Sequence, residues 1–225
     1  MMGFILKLFH LYKDRSDFFI ELFIQHVILS FTAIIVITVL GISSGIYMTR
    51  HKNIANILFG IMNFIYTIPS IALLGFLVVI TGIGNGSALI ALVLYGLLPM
   101  IRNTYVGITE VDQIIIESAV AMGSTSRQLL LKIQIPIALP IILAGFRIMV
   151  VMTIALTGIA SFIGAGGLGV AIWRGITTNY PEMTVAGSLL VALFAVVMDL
   201  IIGIFEKKYN KRITGDKKME VLDIV

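Results

Sequence analysis

The chain has 225 residues, 59% of them hydrophobic and only 12% charged, with a mean hydropathy of +1.06. That balance excludes a soluble globular domain, in which charged residues are about a quarter of the chain. Without cysteine there is no disulfide framework or thiolate metal site, and the three histidines, His10, His26 and His51, are too scattered to make a ligand cluster.

The N-terminal segment, residues 1–21, carries Phe4, Leu8 and Leu11 toward one side and Lys7 and Asp14 elsewhere. No small-residue cleavage site follows its short apolar run, so it reads as an interfacial amphipathic segment and not as a signal peptide. From Leu22 to Thr49, and again from Asn53 to Ile101, there is no Asp, Glu, Lys or Arg. A spanning helix needs about 20 apolar residues, so the first run makes one span and the second makes two. Ile137 to Ala160, interrupted by Arg147, is a fourth, and Thr184 to Phe205, interrupted by Asp199, is a fifth. The runs are continuous and do not alternate as barrel strands do. The expected fold is therefore all-α and polytopic, with a membrane domain over residues 22–205 and a charged tail over residues 206–225, poorly ordered by composition.

Lysine and arginine set the orientation. Lys207, Lys208, Lys211, Arg212, Lys217 and Lys218 place the C-terminus in the cytoplasm, and an odd number of spans then places the N-terminus outside. Arg50, Lys52, Arg102, Arg127 and Lys132 fall on the inner side by the same assignment. The formal net charge of +4 is accounted for by these topogenic residues, and a nucleic-acid partner has no support.

Within the spans, Pro69 is expected to kink or break its helix. Tyr66, Thr67 and Ser70 beside it are polar groups that need a partner away from lipid, which makes them one candidate lining for a substrate pathway. Met152, Thr153 and Thr157, with Met149, are a second; packing and back-bonding to the helix is the plainer reading of such residues. No aromatic cluster able to cage a quaternary ammonium group is visible in the sequence. Arg147 lies about 16 Å along its helix from Pro136, and Asp199 about 12 Å from Lys207, at 1.5 Å per residue. The two charges thus sit at similar depth on consecutive antiparallel spans, and they are expected to pair or share a polar network; the alternative is that Asp199 meets a cationic substrate directly.

The segment over residues 109–136 does not suit a simple anchor. Val111, Ile114, Ile115, Ser118 and Met122 fall near one helical face. Gly123 is placed to stop that helix in a left-handed conformation. Thr125, three residues before Gln128, is a capping-box pattern for a second helix through Leu129, Leu130 and Ile133. Pro136 is expected to end it, because the residue before a proline avoids helical geometry. The expected product is a helix–turn–helix at the membrane surface with Ser118, Ala119 and Gly123 outward, where small residues let a partner approach the backbone.

Gly164-Ala165-Gly166-Gly167-Leu168-Gly169 matches a dinucleotide fingerprint letter by letter, but it follows a membrane span and not a strand, so cofactor binding is rejected. A tight external loop is the better reading, with Gly164, Gly166, Gly167 and Gly169 permitting close backbone packing, either near a pore mouth where a binding protein would deliver substrate or as a merely structural loop.

Glu117-Ser118-Ala119, three residues, Gly123, nine residues and Ile133-x-Ile135-Pro136 together resemble the EAA motif of permeases from bacterial binding-protein-dependent ABC importers. Ser118 and Ile135 stand where the family has Ala and Leu. The resemblance extends from Ile24 to about Phe205, through Ile65–Phe76, Leu98–Ile108 and Ser161–Gly169, and looks most like the osmoprotectant branch, whose members carry glycine betaine, carnitine or choline. It implies a type I importer permease in the bacterial cytoplasmic membrane. Two permease copies or homologues would work with two ATPase subunits and an extracytoplasmic binding protein. Glu117, Ser118, Ala119, Gly123, Arg127, Ile133 and Pro136 would couple to the ATPase. ATP and Mg would belong to that partner, because the chain has no G-x-x-x-x-G-K-[ST] loop, and no cofactor or metal is expected here. Methionine and ergothioneine importers share loops of this kind and remain alternatives, as does an ATP-independent channel or secondary transporter.

Overall fold

The computed structural model describes residues 2–222, with side chains described from residue 3 to residue 209. α1 (Met2–Asp14) and α2 (Ser16–Arg50) meet at Arg15, and α3 (Lys52–Thr67) follows after His51. α4 (Ser70–Thr81), α5 (Asn85–Thr109) and α6 (Gln113–Ala121) come next. α7 (Ser126–Gln128), a π-type turn (Leu129–Gln134), α8 (Ile135–Ala160) and a 3₁₀ turn (Ser161–Ile163) form one unbroken helical run. α9 (Gly169–Thr177) and α10 (Pro181–Leu222) complete the chain.

Among the described residues, four helices are long and apolar enough to cross a membrane: α2, α5, the run from Ser126 to Ile163, and α10 as far as Tyr209. The bent pair α3–α4 makes a fifth crossing when counted as one span. The break falls at Pro69, where the axes turn by 101°. Pro69 has no N–H to donate, and Ile68 before it is extended at φ −72° and ψ 127°. The carbonyl of Ile68 that the break releases accepts a hydrogen bond from the Tyr95 hydroxyl on α5, so the gap in the ladder is satisfied.

α5 is the central helix. Lipid offers no hydrophobic drive between helices, so they associate where small residues let backbones approach. Gly41 and Gly45 of α2 face Met100 and Thr104 of α5, and Gly96 of α5 faces Ile37 of α2. These matched steps make α2 and α5 parallel. On its other side α5 sets Gly107 against Ala138 and Asn103 against Gly145, which makes α8 antiparallel to it. Ile37, Met100, Met149 and Ile154 are fully buried where these helices meet. α10 then packs antiparallel on α8.

Several boundaries differ from the sequence reading. α2 begins at Ser16, not Leu22, and its 35 residues are longer than a hydrocarbon core requires. Its first turns pack Phe19 and Leu22, with Leu11 of α1, against Leu168, Ala171, Met183 and Ala186. α1 is tied to α10 by Tyr12, which donates to the Ala186 carbonyl at 2.8 Å, and by Lys7 and Glu182 at 3.5 Å. Burial pushes the Tyr12 phenol up from its ordinary value. The tail continues α10 as a helix to Leu222, in keeping with its Lys, Glu and Arg content. The side chains of Lys211, Arg212, Lys217 and Lys218, and residues 223–225, lie outside the described part.

Candidate functional site

The segment after α5 is built from three local signals. The Asp112 carboxylate caps α6, accepting from the Ile114 N–H at 2.8 Å, so the helix expected to run from Thr109 is divided at residues 110–112. At its other end Gly123 adopts φ +84°. The Gly123 N–H donates to the Val120 carbonyl at 2.9 Å and the Ser124 N–H to the Ala119 carbonyl at 3.0 Å, the bond pair of a Schellman motif. Thr125 and Gln128 then close a capping box, with the Thr125 N–H donating to Gln128 Oε1 at 2.8 Å.

Two features of this segment correct the sequence reading. Ala119 does not face outward: it is 2% exposed, and Val111 is buried as well. Ile114 and Met122 are instead 71% and 80% exposed, sharing one face with Glu117, Ser118 and Ala121 at steps of three and four residues. An apolar periodicity identifies a face but not which of two apolar faces the bundle takes. Pro136 does not end the second helix either. Ile135 is helical at φ −61° and ψ −48°, and its N–H donates five residues back, to the Leu130 carbonyl. The widened turn over Leu129–Gln134 gives room for a proline ring that would collide with the carbonyl four residues back in a regular α-helix. Ile133 and Pro136 are therefore half-buried parts of a continuous rod into α8, and Arg127 is exposed on its first turn.

The structure brings Arg147 and Asp199 together. Arg147 Nε donates to Asp199 Oδ1 and Nη2 to Oδ2, both at 2.6 Å, a two-pronged pairing of guanidinium and carboxylate. Glu206, which the sequence reading missed, accepts from Arg147 Nη1 at 3.2 Å. The available signal was its spacing: Asp199, Gly203 and Glu206 lie on one stripe of α10, and a Cβ at Gly203 would stand 3.2 Å from Arg147 Nη1. The triad carries one net negative charge. It borders a groove of about 650 Å³ that runs along α8 past Ile148, Val151 and Met152.

The candidate pathway residues divide. The Tyr66 hydroxyl donates to Met152 Sδ at 3.2 Å, and the Tyr66 and Tyr95 rings lie 5.7 Å apart. An aromatic pair therefore exists beside the Pro69 break, where none was visible in the sequence because its members lie on different helices. Thr67 is exposed and donates to the Phe64 carbonyl at 2.7 Å, and Ser70 is half-buried near Tyr95. Thr153 and Thr157 face elsewhere. Both are fully buried, donate to the carbonyls of Met149 and Thr153, and form a polar seam with Ser30 and His26 of α2. That places them in the α2–α8 packing and not beside Met152 on the groove.

The glycine-rich loop is folded tightly, with Gly164, Gly166 and Gly167 at φ +79°, +73° and +81°. Gly169 opens α9 against the Gly158 carbonyl, where a side chain has no space. Gln25 on α2, another residue not singled out from sequence, holds the loop by accepting from the Gly167 N–H at 3.0 Å. Glu21 in turn accepts from Gln25 Nε2 at 3.1 Å and orients it. A cleft of about 510 Å³ opens beside these residues, reaching Thr32 and Asn85. No group of three or more His, Cys, Asp or Glu able to hold a metal ion occurs among the described residues.

Residues 37–211 match the family described as binding-protein-dependent transport system inner membrane component. The chain is 37% identical over 215 residues to the glycine betaine/carnitine/choline transport system permease protein OpuCD of Bacillus subtilis (strain 168), covering 92% of this chain and 94% of that protein. It is 41% identical over 170 residues to the ergothioneine transport permease/ergothioneine binding protein EgtU of Helicobacter pylori (strain G27), covering 76% of this chain and 31% of that longer protein. Among solved structures, a chain of the inward-facing MetNI methionine ABC transporter superposes with a TM-score of 0.73 at 22% identity, covering 85% of this chain and 95% of that one.

Proposed function

From a chain that belongs to the family of binding-protein-dependent transport system inner membrane components, and is thus a multi-pass membrane permease, we infer the permease subunit of an ATP-driven importer for quaternary-ammonium osmoprotectants such as glycine betaine, carnitine and choline. The substrate class is supported by identity along nearly the whole length of the glycine betaine/carnitine/choline permease. The ergothioneine relative is matched over a third of its length, and the methionine transporter supports the fold alone.

The coupling assignment rests on one observation: the exposed α6 face of Ile114, Glu117, Ser118 and Met122 is joined through Gly123 to a helical rod that runs without a break into α8. A displacement of α6 by an ATPase subunit is passed through the turn at Gly123 to that rod, because a continuous helix does not absorb it as a loop does. Glu117 supplies a charged or hydrogen-bonding anchor for the partner, and Gln113 Nε2 donates to its Oε1 at 3.2 Å. α8 carries the movement to Arg147, which ties it to α10, and to Met152, which touches Tyr66 at the α3–α4 break. Two permease chains around a twofold axis would then alternate between outward and inward openings as two ATPases close and part. In this arrangement α6 and the C-terminus lie in the cytoplasm, and the N-terminus and glycine loop lie outside, where a binding protein delivers substrate.

Reconstitution with the partner ATPase and binding protein tests the reading. Substrate-stimulated ATP hydrolysis and uptake of labelled glycine betaine, carnitine or choline are expected from the wild type. Glu117→Lys is expected to insert normally and lose uptake. Uptake of ergothioneine or methionine instead would replace the substrate assignment, and uptake without ATPase subunits would replace the mechanism.

A further inference from the structure

At the α6 end of the bundle, the last two turns of α2 and the first turns after Ser126 enclose a groove of about 650 Å³. Arg50 and Arg127 both line it, together with Ser43, Ser126, Ile46 and Leu130. Among the described residues neither arginine has a carboxylate within salt-bridge distance; the ion pairs present involve Lys7 and Arg147 only. Two guanidiniums lining one groove make it electropositive, which favours an anion there. A guanidinium binds phosphate oxygens in two-pronged fashion, and serine hydroxyls donate to the same oxygens.

The groove continues as an apolar track. Ile35, Val39, Ser43, Tyr47 and Arg50 follow one another at steps of three or four residues on α2, and Ile35 and Val39 are among its most exposed apolar residues. From Arg50 to Ile35 the helix rises about 22 Å, enough for one acyl chain crossing half of a hydrocarbon core roughly 30 Å thick.

We propose that this groove is a binding site for an anionic phospholipid, its phosphate held by Arg50 and Arg127 and one acyl chain laid along α2 toward Ile35. Basic pockets between membrane helices at the headgroup level favour anionic lipids for this reason. A free phosphate makes no use of the apolar track. The site gives Arg127 a lipid phosphate in place of the ATPase contact that the motif implies, and it is independent of which solute the permease carries.

The test uses the assembled transporter, with its ATPase subunits, in detergent with equal amounts of dioleoyl phosphatidylglycerol and dioleoyl phosphatidylcholine. Native mass spectrometry counts the lipids retained per complex. Wild type is expected to retain the anionic lipid preferentially, Arg50→Gln to reduce that preference about fivefold, and Arg50→Lys to restore only the part that a point charge supplies. Lys52→Gln, which removes a charge at the same end but off the groove, should change nothing. Equal retention of both lipids by wild type overturns the proposal and needs no variant. Equal losses in Arg50→Gln and Lys52→Gln also overturn it, by reducing the effect to surface charge. Displacement of the lipid by matched glycerol phosphate would identify a headgroup site without an acyl track. Retention by the isolated permease but not by the assembled complex would make the groove the seat of the ATPase.

Discussion

Arg147 of α8 and Asp199 of α10 form a two-pronged ion pair, 2.6 Å at each contact, with Glu206 completing the set from two turns further along α10. The pair fixes the relative height of two antiparallel helices. Arg147→Met leaves Asp199 and Glu206 without their cation beside an apolar groove, whereas Asp199→Met leaves Arg147 with Glu206 alone. Arg147→Met and Asp199→Met are each expected to lower the thermal unfolding temperature of the purified complex. The double variant should sit closer to wild type than Arg147→Met, since it leaves one carboxylate, Glu206, without its partner where the single leaves two. A double variant as unstable as the sum of the singles would mean that the pair has no coupling.

The turn at Gly123 requires a left-handed residue. Gly123→Ala puts a Cβ into that conformation at a cost of about 1–2 kcal/mol, although the space around it is open. Membrane insertion should be normal, while uptake falls and basal ATP hydrolysis persists. Gly123→Asn, which tolerates the conformation better, should recover part of the uptake. Equal uptake in all three proteins would dissociate the turn from coupling.

Thr125 offers a graded version of the same test. Thr125→Ala removes the cap on the rod that leads to α8 and should cost about 1 kcal/mol. Thr125→Ser keeps the cap and should resemble wild type in the ratio of solute moved to ATP hydrolysed.

Gln25 is the strut of the glycine loop. Gln25→Ala leaves the Gly167 N–H without its acceptor, at about 1 kcal/mol for one hydrogen bond. The expected result is weaker docking of the substrate-loaded binding protein, by a few-fold in Kd, with the solute affinity of the free binding protein unchanged. Docking at wild-type strength would leave the loop a purely structural element.

Tyr66 tests the passage. If the ring beside Met152 receives a quaternary ammonium group, Tyr66→Phe should keep the KM for uptake near wild type, and Tyr66→Leu should raise it. A change confined to Tyr66→Phe would point to the hydrogen bond to Met152 and not to the ring.

Much of this was legible in the chain. Uninterrupted apolar runs can be satisfied in a membrane only as helices, so composition alone determined an all-α membrane protein. Gly123 and the Thr125–Gln128 pair determined the turn and the second helix start, because each acts within a few residues of itself. The depth of Arg147 and Asp199 followed from counting helical rise. What the sequence could not decide were matters of which neighbour each residue meets. Ala119 turned inward because the bundle took one of two apolar faces of α6. Pro136 passed through a helix because the preceding turn widened. Thr153 and Thr157 went to the α2 seam while Met152, adjacent in sequence, went to Tyr66, since successive residues on a helix point about 100° apart. Glu206, Gln25 and the Tyr66–Tyr95 pair became visible only once separate helices were packed. Local geometry and burial are written along the chain, whereas partnership between helices is decided by how their surfaces fit, which only the tertiary structure supplies.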